Sequence, residues 1–231
     1  MKNLLSVFVP VLNCQSTVQG LIGRLLEASE ELTHRFELLV IDNGSTDATR
    51  ESLGELVVCY PQLKLLTNPT RTSAAEVMRI GLRHSSGEVI LYRREGSETG
   101  PRCLAEMWQA ARSADVVVTG RGHHSLGAIP ASPAVLPSEA PAWQMIRRRL
   151  LESWARQRAE SDWLRYLQDR GYRSHEVEAR SSTWRAEPQG RVAARLPNAP
   201  RHAAQPVPAE GRAAARRPNY LDRIKAFAWG E

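Results

Sequence analysis

A chain of 231 residues with 42% apolar side chains can bury one sizeable core, and no apolar run approaches the roughly 20 residues that a membrane-spanning helix needs. No charged-then-apolar leader with a small-residue cleavage site opens the sequence, so a soluble, cytoplasmic protein is expected. The formal charge is +6, and the three cysteines, Cys14, Cys59 and Cys103, show neither CxxC nor paired-His spacing, which argues against a disulfide framework and a zinc site.

The first predicted element is a strand, Leu4 to Leu12, with a Pro10-x-x-Asn13 exit. Ser16-Thr17-Val18-Gln19 has capping-box spacing, and Val18, Leu21, Ile22, Leu25 and Leu26 follow at helical period, predicting a helix over about 17–33. Phe36 to Ile41 is a second strand. Within it the continuous apolar run Leu38 to Ile41 implies burial on both faces of a parallel sheet. It ends in Asp42-Asn43-Gly44-Ser45-Thr46-Asp47, a turn crowded with carboxylate and hydroxyl groups, at the strand end where such sheets bind ligands. The same residues suit a tight turn in which Ser45 caps a helix running to about Val58, with Asp47 interacting with the helix dipole.

Leu63 to Leu66 reads as a third strand, and Ser73-Ala74-Ala75-Glu76 is a second capping box opening a helix through about His84. Val89 to Tyr92 is strand four. Pro101 stands where a first helical position would be, ahead of an apolar stripe of Leu104, Met107, Trp108 and Ala111, and Asp115 to Thr119 is strand five. Strands alternating with helices at this spacing give the fold class as α/β, a mostly parallel sheet with helices on both faces.

Pro130, Pro133, Pro137 and Pro141 mark a loop. Beyond it Trp143, Ile146, Leu150 and Trp154 keep one helical face, a second helix runs from Ser161 to Gly171, and a short strand covers about Tyr172 to Val177. His123-His124 reads as ordinary loop, and Arg147-Arg148-Arg149 as a solvated helix face. From Ala186 the sequence is rich in Ala, Arg and Pro without periodicity and is expected to be disordered. That tail holds eight Lys and Arg against four Asp and Glu, so most of the net charge belongs to it. Nucleic acid is therefore not an expected partner of the folded part. At the end of the tail, Asn219 is positioned to cap a short helix with Tyr220, Leu221, Ile224 and Phe227 on one side, a candidate surface for a protein partner over 219–231.

The Pro-x-x-Asn exit and the Asp42-Asn43-Gly44-Ser45-x-Asp47 turn together resemble the nucleotide-binding half of a family-2 glycosyltransferase of GT-A fold. The resemblance covers about residues 4–121 and, more faintly, 162–191. In the second patch Gly171 to Val177, followed by Arg185 and Gly190, looks like polyprenyl-phosphate sugar transferases, as does Asp115 to Arg121. The resemblance implies a division into a nucleotide-binding core (1–121), a shortened acceptor half (122–185) and the tail (186–231). It implies a nucleotide diphosphate sugar, UDP- or GDP-linked, held by Pro10, Asp42, Asn43, Gly44 and Ser45.

The family's tyrosine and glutamate at the first exit are here Leu12 and Cys14, and its Asp-x-Asp for manganese or magnesium aligns with Arg94 and Gly96. No metal cofactor is therefore expected. Arg93 and Arg94 are candidates to neutralise the diphosphate, although adjacent arginines also suit a solvated edge. No motif for the catalytic base is found. The resemblance thus implies a binding protein with impaired or lost sugar transfer, the alternative being a non-catalytic scaffold or sensor that recruits a partner through its tail.

Overall fold

The computed structural model describes residues 4–97, 101–120, 141–157 and 162–178. Their strands are β1 (Leu5–Val11), β2 (Phe36–Asn43), β3 (Leu63–Asn68), β4 (Val89–Arg93), β5 (Val116–Gly120), β6 (Trp143–Arg147) and β7 (Ser174–Glu178). Their α-helices are α1 (Val18–Leu32), α2 (Thr49–Cys59), α3 (Ala74–His84), α4 (Leu104–Ala110), α5 (Arg148–Ala155) and α6 (Trp163–Asp169), with a 3-10 turn at Pro101–Cys103 ahead of α4. The strands form one sheet in the order β3-β2-β1-β4-β6-β5-β7. β1 pairs in parallel with β2 and β4, β2 with β3, and β5 with β7; β6 runs antiparallel between β4 and β5.

Both faces of the sheet are covered, as the apolar runs Val7 to Val11 of β1 and Leu38 to Ile41 of β2 require. Alternation along β1 sends Leu5, Val7, Val9 and Val11 into one layer with Ile22 and Leu25 of α1, Leu53 of α2 and Met107 of α4. Phe8 of β1 joins Leu39 and Ile41 of β2 in the other layer, under Met78 of α3, Trp154 of α5 and Leu167 of α6.

The residues expected as a helix from Trp143 onward instead form a strand up to Arg147. Trp143 and Met145 face one layer and Ile146 the other, so the run Trp-Gln-Met-Ile is buried on both sides. A doubly buried strand carries no polar alternation, which is why its apolar residues also fit a helical period. Gln144 is tolerated there because its Oε1 accepts from Trp163 Nε1 at 2.7 Å. The Thr119 hydroxyl closes the neighbouring contact by accepting from Trp143 N at 3.0 Å.

Two of the expected caps differ as well. Ser73 Oγ accepts from Glu76 N and opens α3 as predicted, whereas α1 starts at Val18 with no side-chain capping bond from Thr17, whose hydroxyl donates to Cys14 O. α2 starts at Thr49, four residues beyond Ser45. The expected cap at Asn219, the surface over 219–231, the whole tail from 186, His123, His124, Ser161, Arg121, Arg185 and Gly190 lie outside the described residues.

Candidate functional site

The strand order reverses at β1: β2 and β3 lie on one side and β4 on the other. In parallel sheets the crevice at such a reversal, beyond the carboxyl ends of the strands, is where ligands sit. Three exits meet there, after Val11, Asn43 and Arg93, with Val11 in register with Asp42.

The first two exits are laced together by reciprocal bonds. Asn13 takes a left-handed backbone (φ 47°), donates its N–H to Ser45 Oγ at 3.0 Å and accepts from Thr46 N at 2.8 Å. Gln15 repeats the pattern two residues on, its N–H donating to Asp47 Oδ2 and its Oε1 accepting from Ala48 N. Cys14 N donates to Thr49 Oγ1 at 2.8 Å, and that hydroxyl donates to Asp47 Oδ1. The turn's donors and acceptors are thus engaged by the β1 exit, which explains why Ser45 does not cap α2 and the helix starts late. The bond from Thr49, against a smaller effect of burial, holds the Asp47 carboxyl below its usual range.

Asp42 has no exposed surface. Its Oδ1 accepts from Ser45 N at 2.9 Å, and its Oδ2 lies 3.4 Å from Arg50 Nε, whose side chain is half exposed. Asn43 Oδ1 accepts from Asn68 Nδ2, Thr72 N and Thr72 Oγ1, and its Nδ2 donates to Thr72 O and Glu95 Oε2. Gly44 (φ +89°) approaches the backbone of Thr70 and Arg71 so closely that a Cβ would stand 2.7 Å from Arg71 N. Pro10 is buried inside β1. Of the five residues expected on the nucleotide, Asn43 and Gly44 therefore pin the 68–72 segment, Ser45 holds the β1 exit, and Asp42 keeps a carboxylate at the strand end.

Arg93 and Arg94 diverge. Arg94 is exposed, whereas Arg93 is only 8% exposed, donates to Ser97 O and lies with its guanidinium carbon 6.0 Å from the Trp143 ring centroid. Its Nε is buried with no hydrogen-bond partner among the described residues. Burial pulls Arg93 below its ordinary value and pushes the thiol of Cys14, across the crevice, above its own; each group partly offsets the shift of the other. A guanidinium in a protein keeps its proton, so a positive charge with a spare donor stands at the crevice. Glu95 is engaged by Arg71, 2.8 Å away, and by Asn43.

Sequence reasoning did not find the roles of Asn13, Gln15 and Arg50. The last is eight residues from Asp42, a spacing with no local signal, whereas Asn13 stood out only as part of the Pro10-x-x-Asn13 exit, without its left-handed backbone or its bonds to the β2 turn.

A mostly parallel sheet covered on both faces, with its strand order reversing at β1, has the architecture of the GT-A fold. The chain belongs to glycosyl transferase family 2, whose pattern matches residues 6–160. Over 137 residues, 57% of this chain and 39% of the relative, it is 30% identical to the undecaprenyl-phosphate 4-deoxy-4-formamido-L-arabinose transferase of Pseudomonas fluorescens. Two solved structures share the fold. A mannosyltransferase from Pyrobaculum calidifontis in complex with GDP-Man and Mn2+ has a TM-score of 0.56 at 18% identity, covering 77% of this chain and 55% of that one. TarS 1-349 of S. aureus in complex with UDP-GlcNAc has a TM-score of 0.51 at 18% identity, covering 78% and 57%.

The fold family implies a divalent cation, and the described residues do not fit one. A hard cation needs clustered oxygens, yet the β4 exit carries two guanidiniums beside a carboxylate that is already ion-paired. Among the described residues no group of three or more His, Cys, Asp and Glu is placed to share an ion, and no helix is long and apolar enough to cross a membrane.

Proposed function

We propose that this chain binds a nucleotide diphosphate sugar, UDP- or GDP-linked, at the carboxyl ends of β1, β2 and β4, and that metal-dependent sugar transfer is impaired or lost. The observation that carries the reading is Arg93, a buried guanidinium whose Nε has no partner among the described residues, one position before the aligned start of the family's metal motif. The Nε has no accessible surface in this conformation, so a diphosphate oxygen accepts from it once the side chain turns toward the crevice, and that contact satisfies both its charge and its missing hydrogen bond. Asp42 supplies the complementary group, since a ring N–H of uracil or guanine can donate to Oδ2 once the half-exposed Arg50 swings away. Asn13, Asn43 and Gly44 hold the walls. Free cysteines and a nucleotide-sugar ligand fit a reducing cytoplasm, which we take as its compartment.

Isothermal titration with UDP, GDP and their sugars, with and without manganese, tests the reading. Binding that disappears in Asp42→Ala, weakens in Arg93→Met and ignores manganese is the expected result. No binding to any nucleotide overturns the function. Binding that requires manganese keeps the pocket and overturns the loss of the metal centre.

A further inference from the structure

The opposite end of the sheet holds a second constellation that the nucleotide reading does not use. Residues at the amino ends of β4, β5 and β7 and at the β6–α5 junction line an open cleft of about 500 Å³. Five arginines and three carboxylates face it, a surplus of two positive charges.

The placement of these arginines is unfavourable without a counter-charge. α5 begins at Arg148 with no side-chain cap and no acidic residue in its first turn, so Arg147, Arg148 and Arg149 stand at the positive end of the helix dipole. The fold absorbs part of this charge. Arg147 Nη2 donates to Ala111 O at 2.5 Å, and Arg148 donates to Leu82 O at 2.5 Å and pairs with Glu152 at 2.7 Å. Those two guanidiniums pin α5 to its neighbours.

Arg149 and Arg173 are different. They come from separate elements, are 75% and 66% exposed, and share one carboxylate: Asp115 Oδ1 lies 3.2 Å from Arg149 Nη2, and Oδ2 lies 3.3 Å from Arg173 Nε. One carboxylate cannot neutralise two guanidiniums, and both forks keep donors that Asp115 does not use. Each hydrogen bond that Asp115 accepts also holds these donors in place. Local preferences violated together at one spot mark a functional site more often than an error of folding.

We propose that this cleft binds phosphate, as an anionic lipid headgroup or as a soluble phosphate ester, with Arg149 and Arg173 as the principal contacts and Asp115 as the carboxylate with which a bound phosphate competes for them. A phosphate matches both the fork geometry and the helix end. The site is separate from the nucleotide crevice, since one lies at the amino ends of the parallel strands and the other at their carboxyl ends.

The test uses the full chain carrying Arg93→Met, which weakens the crevice's own hold on phosphate. Inorganic pyrophosphate is titrated calorimetrically, and vesicles of phosphatidylglycerol in phosphatidylcholine are co-sedimented. Arg149→Glu with Arg173→Glu should weaken binding at least about tenfold, on the scale of about 1 kcal/mol per arginine near an anionic surface, without moving the thermal midpoint more than exposed substitutions usually do. Asp115→Asn should strengthen binding severalfold by releasing both guanidiniums, a direction that damage to the fold would not give. Effects confined to vesicles assign a lipid headgroup, and effects on pyrophosphate assign a soluble ester. Unchanged binding of both probes in the double variant, or no binding by the parent, overturns the proposal.

Discussion

Arg50 covers Asp42: its Nε lies 3.4 Å from a carboxylate oxygen that has no exposed surface, while the guanidinium itself stands half in water. The pair couples the first turn of α2 to the end of β2 and makes Arg50 the competitor of any base that seeks Oδ2. Arg50→Gln should therefore raise nucleotide affinity severalfold in a calorimetric titration. Its cost to stability should stay below about 1 kcal/mol, because the arginine is solvated. A fall in affinity would mean that Arg50 contacts the ligand instead of masking Asp42.

Arg93→Met separates binding from stability. The thioether fills the space beside Trp143 and removes both the buried charge and the unpartnered Nε, so the denaturation midpoint should hold or rise. Nucleotide diphosphate affinity should fall about tenfold to a hundredfold, the scale of a hydrogen bond to a charged group. A variant that loses stability and keeps its affinity would make Arg93 structural.

Glu37 sets an acid limit on the fold. Burial works against its ionisation, but hydrogen bonds from Lys64, at 2.7 Å, Ser6, at 2.6 Å, and Ser86 N, at 2.7 Å, prevail and hold it below its ordinary value of 4.5. A carboxyl whose value is depressed by folding contributes its full stabilisation above the unfolded value and loses it as pH falls through the folded one. Stability should thus decline below about pH 4.5, and Glu37→Gln should flatten that part of the curve. Urea denaturation midpoints measured at successive pH values report the difference.

Gly44 and Gly87 should not tolerate a methyl group. At Gly44 a Cβ adds left-handed strain to a backbone clash, and at Gly87 it would lie 2.3 Å from Ser6 Oγ and 2.6 Å from Ser6 N. Gly44→Ala should cost about 1–3 kcal/mol and weaken nucleotide binding, because it displaces the 68–72 segment from Asn43. Gly87→Ala should lower stability and leave affinity unchanged, since it lies at the other end of the strands. Paired thermal scans and titrations distinguish the two.

The alternation of strands and helices up to Gly120 was legible because α1, α3 and α4 carry apolar residues at helical spacing and β1, β2 and β4 are largely apolar. β6 was not. Buried between β4 and β5, Trp143 to Arg147 has apolar contacts on both faces, and its identity as a strand comes from two neighbours distant in the chain. The late start of α2 escaped for a related reason: what delays it is the competition of Asn13, Cys14 and Gln15 for the atoms of residues 45–49.

The sequence by itself determined the α/β class, the family and the strand ends where chemistry can gather, because periodicity and turn composition act over a few neighbouring residues. Tertiary structure alone decided which groups meet: Asp42 with Arg50, Asn43 with Thr72 and Glu95, Arg93 with Trp143, and Asp115 with two arginines from different elements. Strand register and the path of the crossovers set those meetings. Both depend on packing the whole sheet at once, so no local window of residues carries them.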